Sequence, residues 1–238
     1  DALPICVLNP DLRVFDIIMR AEYGTSYNAF LITGEKNILI DTVHASFFDE
    51  YISNIKSIVD ISKIDALIMN HTEPDHSGSI AKLLALNPNI TVYCTLPAKK
   101  NIDAITNADT HCVVVKQGDR LDIGNDELEF IIAPLLHWPD SMFTWMPSRK
   151  VLFTCDFLGC HYCEPTMRDQ SIHFPEKYWD EFEYYYKGIF GPFKPYVIKG
   201  LDKIDGIDAE LICPSHGPCL TENIKKRKEL YRSWSMPK

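Results

Sequence analysis

The segment NHTEPDHSGS, residues 70–79, places two imidazoles and two carboxylates, those of His71, Glu73, Asp75 and His76, directly after the apolar run IDALIM. Neutral imidazole and ionised carboxylate are the side chains that coordinate divalent cations. A helix cap would use one side chain, Asp75 or Ser77, and would leave both histidines unexplained. Three further residues of the same chemistry stand just past apolar runs: His137 after EFIIAPLL, Asp156 after KVLFTC and His216 after ELICPS. Between His76 and His137 lie 60 residues, between His137 and Asp156 18, and between Asp156 and His216 59. Taken singly, each of the last three reads as a loop residue bonded to backbone. Taken together, at the ends of strands on a rigid scaffold, the seven are expected to converge on one edge. His44, His111 and His173 have no such context and read as ordinary histidines.

The elements that must position these residues are written in the hydrophobic pattern. Strand-like runs recur in RVFDIIM, YNAFLIT, NILIDT, DALIMN, ITVYCT, CVVVK, LEFIIA, MFTWM, VLFT and ELICPS, mostly bounded by Gly, Asn, Asp or Pro. Residues 47–60 follow helical spacing, with Phe48, Tyr51, Ile52, Ile55, Ile58 and Val59 on one face, and Ser77 is placed to cap a helix through GSIAKLLAL. PEKYWDEFEYYYKGIF, KPYVIKGLDKI and a segment near 221–234 read as three more helices. Early strands meet at short turns such as TGEKN, whereas later strands alternate with helices. The fold class expected is therefore α/β, with sheets covered by helices on their outer faces, in one domain over residues 1–238.

Composition excludes several functions. The chain has 238 residues, 46% of them apolar, enough for one large core, and a formal charge of −9 offers no footprint for nucleic acid or an anionic membrane. The basic run KKRK at 225–228 is short and reads as a solvated helix face. No stretch approaches the roughly 18 apolar residues of a membrane span, and the N-terminus lacks a secretory pattern, so a cytoplasmic protein with reduced cysteines is expected. A lone CxxC, Cys160 to Cys163, is too little for a zinc knuckle or a rubredoxin-type site.

The HxExDH motif followed by His, Asp and His at these intervals resembles the flavodiiron proteins, whose di-iron domain has the metallo-β-lactamase fold. GTSYNAFLI, DFLGCH, EYYYKGIFGPF and CPSHGP are similar to stretches around that family's site, so the resemblance spans nearly the whole chain. It implies an αββα four-layer sandwich and two iron ions. One iron would be held by His71, Glu73 and His137, the other by Asp75, His76 and His216, with Asp156 and an oxo or hydroxo group bridging them. Three carboxylates beside four imidazoles form a harder donor set than the imidazole-rich zinc sites of hydrolytic relatives. Their three negative charges, plus one bridging hydroxide, balance two ferrous ions. The resemblance further implies that His161 lies near the site, and that Tyr186, or less directly Tyr185, offers a phenol to a bound diatomic ligand.

Typical members carry a flavodoxin domain with FMN after the di-iron domain. Here the sequence ends at Lys238 with no phosphate-binding loop, and the histidine that many relatives have before GTSYN is absent from FDIIMRAEYG. Reducing dioxygen to water takes four electrons, of which two ferrous ions supply two. The expectation is a stand-alone oxygen-binding di-iron protein, a sensor or carrier of the kind linked to chemotaxis in anaerobes, taking dioxygen or nitric oxide as ligand. The alternatives are an oxidoreductase reducing either gas with electrons from a separate rubredoxin or flavodoxin, or from a flavodoxin domain outside this sequence, and a zinc hydrolase of the same fold. A signalling partner and a homodimer through the helix faces remain open at this point.

Overall fold

Apolar runs without polar alternation belong to strands covered on both faces. The computed structural model, which describes residues 2–16 and 18–237, covers them so. Six strands form one sheet in the order Ala2–Pro4, Phe30–Ile32, Asn37–Ile40, Ile64–Met69, Thr91–Cys94 and Cys112–Val114. The first two pairings are antiparallel and the last three parallel. Five strands form a second sheet, Arg120–Asp122, Glu127–Ile132, Met142–Met146, Val151–Cys155 and Leu211–Pro214, antiparallel except for the last pair.

Side-chain alternation then builds three apolar layers. From Ile64–Met69, Ala66 and Ile68 face the second sheet, while Leu67 and Met69 face helices Phe48–Lys56, Ile80–Leu86 and Leu96–Thr106, which contribute Tyr51, Ile55, Leu83 and Ile102. From Val151–Cys155, Val151 and Phe153 face the first sheet. Leu152 meets Tyr178, Phe182, Val197, Leu201 and Tyr231 from helices Pro175–Tyr185, Lys194–Ile204 and Ile224–Ser235. Each such side chain stabilises the fold by about 1.5–3 kcal/mol on leaving water. The result is the expected helix, sheet, sheet, helix sandwich.

Several local expectations change. RVFDIIM does not make one strand: Val14–Phe15 and Met19–Arg20 pair as a short hairpin, and Ile17 lies outside the described residues. Helix Phe48–Lys56 stops early, leaving Ile58 exposed, because the chain turns there toward Ile64–Met69. Ser77 does not cap the following helix. It ends the short helix Pro74–Ser77, and its hydroxyl donates back to the carbonyls of Thr72 and Glu73. Helix Pro175–Tyr185 continues as a π-helical turn over Tyr186–Phe190, which changes the direction in which its tyrosines point.

Candidate metal centre

Four loops meet at one edge of the sandwich, and each is aimed by a local device. Asn70, at the end of Ile64–Met69, donates its amide to Asp41 Oδ1 at 2.7 Å, which fixes the start of the His71–His76 loop. Burial pushes the Asp41 carboxyl up to about 7. His137 lies in the turn after Glu127–Ile132, where the Ser141 hydroxyl donates to the carbonyls of Leu136 and Trp138. Val151–Cys155 carries a register shift between Phe153 and Cys155, and Cys155 has a left-handed φ of 50°. Such a bulge re-aims the residue after it, here Asp156. Gly217, at φ 75°, turns the chain after His216, where a Cβ would meet the Cys160 carbonyl at 2.9 Å.

The seven side chains fall into two groups that share Asp156. Asp156 Oδ2 lies 3.1 Å from His137 Nε2 and 3.5 Å from His71 Nε2, and Glu73 Oε2 lies 3.1 and 3.4 Å from the same two nitrogens. Asp156 Oδ1 lies 3.1 Å from His76 Nε2 and 3.4 Å from His216 Nε2, and Asp75 Oδ2 lies 3.4 and 3.0 Å from that pair. Donor atoms spaced in this way are the edges of two coordination polyhedra. All seven residues are buried apart from the slightly more open His137. Buried polar groups normally find hydrogen-bond partners. Here His71 Nε2, His76 Nε2, both Asp75 oxygens and Asp156 Oδ1 are buried with no hydrogen bond of ordinary geometry among the described residues. The residues therefore fit a pair of cations on both donor chemistry and orphaned atoms.

Electrostatics point the same way. Burial opposes charging an imidazole, yet the facing carboxylates, Asp156 first, hold His137 up to about 9 and His216 up to about 10. Burial likewise opposes ionising Glu73, yet His137 and His71 draw it down to about 2. Without a cation the nest collects protons; a cation would take their place.

Outer partners orient the imidazoles. His71 Nδ1 sits 3.1 Å from Asp140, which also accepts from the Thr72 amide and hydroxyl, each at 2.7 Å. Burial would raise the Asp140 carboxyl, but the hydrogen bond from His71 leads those that hold it below its ordinary value. His216 Nδ1 donates to the Ser26 carbonyl at 2.7 Å. Nothing in the local sequence around Asp41, Ser26 or Asp140 announces these roles. Asp140, three residues past His137, was the one closest to a visible signal.

His161 is buried behind His216, with ring centroids 4.6 Å apart, and its Nδ1 is 2.8 Å from Thr25 Oγ1. Burial pushes its pKa well below the ordinary histidine value, so the ring is neutral, and its Nε2 has no partner among the described residues. The expectation for Tyr186 is corrected: its hydroxyl pairs with Ser235 at 2.7 Å and its ring packs on Tyr231 and Trp234, away from the nest. Successive helix residues diverge by about 100°, and Tyr185 is the one that turns inward, 5.0 Å from the His161 ring. Burial first, and then the charges of Asp156, Asp75 and Glu73, keep its phenol protonated. Cys160 and Cys163 join no ligand group among the described residues.

A cleft of about 290 Å³ leads to the nest between Glu73, Pro74 and Asp75 on one side and Phe15, Asp16, Tyr27 and His44 on the other. The segment that lacks the relatives' histidine supplies Phe15, packed 4.3 Å from the His161 ring, and Asp16 at the rim. Burial, with the charges of Glu73 and Asp75, raises the Asp16 carboxyl. His44, read from sequence as ordinary, stacks on Tyr27 at this mouth.

Residues 25–217 match the model of the family described as "ODP family beta lactamase". The chain is 57% identical over 233 residues to "Flavo-diiron protein FprA2" of Clostridium acetobutylicum, covering 96% of this chain and 58% of that protein. It is 40% identical over 219 residues to "Anaerobic nitric oxide reductase flavorubredoxin" of Citrobacter koseri, covering 89% of this chain and 45% of that one. The solved structure of "rubredoxin oxygen:oxidoreductase" from Desulfovibrio gigas superposes with a TM-score of 0.94 at 28% identity, over 98% of this chain and 59% of that one. This chain thus spans about half the length of these relatives.

Proposed function

The chain belongs to the ODP family of β-lactamase-fold domains that flavodiiron proteins carry, and from that premise we propose that it holds two iron ions and binds dioxygen there. The observation that carries this reading is the division of labour at Asp156, whose two oxygens each face a separate carboxylate and pair of imidazoles. Iron held by these three carboxylates and four imidazoles would supply one-electron redox chemistry toward a diatomic gas.

The protein's own groups do the rest. Asp140 and the Ser26 carbonyl hold the tautomers of His71 and His216, so that each presents Nε2 inward. Phe15, Trp138 and Phe190 pack against the site histidines and limit water around the nest. His161 offers a neutral ring nitrogen and Tyr185 a protonated phenol, the two groups suited to a hydrogen bond with a polarised gas molecule. The cleft at Asp16 and Tyr27 is the route of entry.

Carrying dioxygen to water takes four electrons, of which two ferrous ions held by these seven residues would supply two, so the described site is matched to binding the gas. We read it as an oxygen sensor or carrier in the cytoplasm, with a signalling partner of the chemotaxis type. The relatives' names favour a second reading, reduction of dioxygen or nitric oxide with electrons from rubredoxin or flavodoxin. The test is to reduce the iron-loaded protein anaerobically, expose it to dioxygen without donor, and then add reduced rubredoxin. A long-lived new absorption band supports the sensor, and many turnovers with no persistent band support the reductase. Two zinc ions per chain with esterase activity would remove both.

A further inference from the structure

Beside the ligand nest the molecule holds a second pair of groups able to react with each other. After Leu211–Pro214 the chain turns through Ser215, His216 and Gly217 and returns beside itself, where Ile212 and Leu220 form an antiparallel bridge and exchange both backbone hydrogen bonds, 2.9 and 2.8 Å. One residue inward on each arm, Cys213 stands opposite Cys219. The position next to a doubly bonded pair is the closer, non-hydrogen-bonded kind, with Cα atoms about 4.5 Å apart and side chains on one face. Disulfides form at Cα separations of roughly 4.4–6.8 Å. Both cysteines are free and buried, and they pack in one apolar layer. A cavity of about 90 Å³ opens on both, with Phe30, Met167 and Arg168 in its wall.

We propose that Cys213 and Cys219 are a redox modification site, forming a reversible disulfide with hydrogen peroxide as oxidant and closing the base of the loop that bears His216. One thiol sulfur attacks peroxide, the O–O bond breaks, and a sulfenic acid and one water result. The second thiol sulfur attacks the first, the S–O bond breaks, and the hydroxyl leaves as a second water with the thiol proton. The sulfurs lose two electrons and peroxide gains them. Burial pushes the Cys213 thiol up, which keeps that thiol protonated and slow toward oxidants. The cavity and the facing geometry supply the access and the proximity that offset this. The disulfide would close a loop over residues 214–218 and restrict His216, whose Nε2 faces Asp75 and Asp156. Cys6, whose thiol donates to the Ala29 carbonyl at 3.5 Å and which packs in the same apolar layer as Cys213 and Cys219, is the competing partner.

The test starts from the unaltered chain and adds one variant. The folded full chain is treated with hydrogen peroxide, free thiols are capped with N-ethylmaleimide, and trypsin releases residues 204–225, a peptide whose two cysteines are Cys213 and Cys219. The proposal expects that peptide uncapped and lighter by two hydrogens, returned to the capped form when dithiothreitol precedes capping, and the loss of the lighter peptide in Cys219→Ser. Full capping of both cysteines after peroxide, a cross-linked peptide joining Cys6 to Cys219, or irreversible sulfinic acid as the main product would overturn it.

Discussion

At the residue scale the account rests on which oxygen and nitrogen atoms face each other. Glu73→Ala removes an anionic donor from one group and Asp156→Ala one from both, so the first variant should retain about one iron per chain and the second almost none, where the parent holds about two, by elemental analysis. Full iron content in Asp156→Ala would be incompatible with a shared carboxylate. Tyr185→Phe should leave iron content unchanged and shorten the lifetime of the oxygenated state, whereas Tyr186→Phe should leave that lifetime alone; stopped-flow decay compares them, and the reverse pattern would restore Tyr186. The protonation states give a pH signature. The folded pKa values of His137 and His216, about 9 and about 10, lie above the ordinary 6.5. Their contribution to stability is complete below 6.5 and is lost as pH rises through 9 to 10. Glu73, about 2 against an ordinary 4.5, contributes above 4.5 and loses that contribution as pH falls through 2. Metal-free protein should therefore melt highest between pH 4.5 and 6.5 and lose Tm toward pH 10, while metal-loaded protein, its imidazoles already deprotonated, should lack that decline. A metal-free Tm flat from pH 6.5 to 10 speaks against the clustered carboxylates.

At the scale of elements, what the sequence disclosed depended on distance along the chain. His71, Glu73, Asp75 and His76 announce themselves because four donors crowd one strand end, and His137, Asp156 and His216 because each follows an apolar run. The parts that hold them were hidden. Asp41, Ser26 and Asp140 act on residues 29, 190 and 69 positions away, and no local pattern encodes such a partnership. The choice between Tyr185 and Tyr186 turned on a π-helical turn that hydrophobic spacing does not reveal. RVFDIIM looked like a strand because its composition is apolar, yet Ile18 is left 90% exposed at a hairpin end near the cleft. Asp140→Ala should lower metal affinity about 10- to 100-fold, because His71 loses the acceptor that fixes its tautomer. Competition with a chelator measures this, and unchanged affinity would reduce Asp140 to a structural contact.

At the scale of the whole molecule, sheets covered by helices on their outer faces were legible because nearly continuous apolar strands alternate with helical segments, while the four-layer order was what the family resemblance implied. Among the described residues no helix is long and apolar enough to cross a membrane. The sandwich keeps the nest at a sheet edge, backed by two stacked sheets and opened by a cleft at Asp16 and His44. A rigid back and a narrow front suit a small gas better than an extended substrate. The claim on which everything turns is that this nest holds two redox-active iron ions with room for such a gas. The most direct measurement is anaerobic metal analysis of the purified chain with its optical spectrum taken before and after dioxygen. The account predicts about two iron ions per chain and a new visible absorption band on oxygenation; zinc in their place, or iron whose spectrum ignores dioxygen, would contradict it.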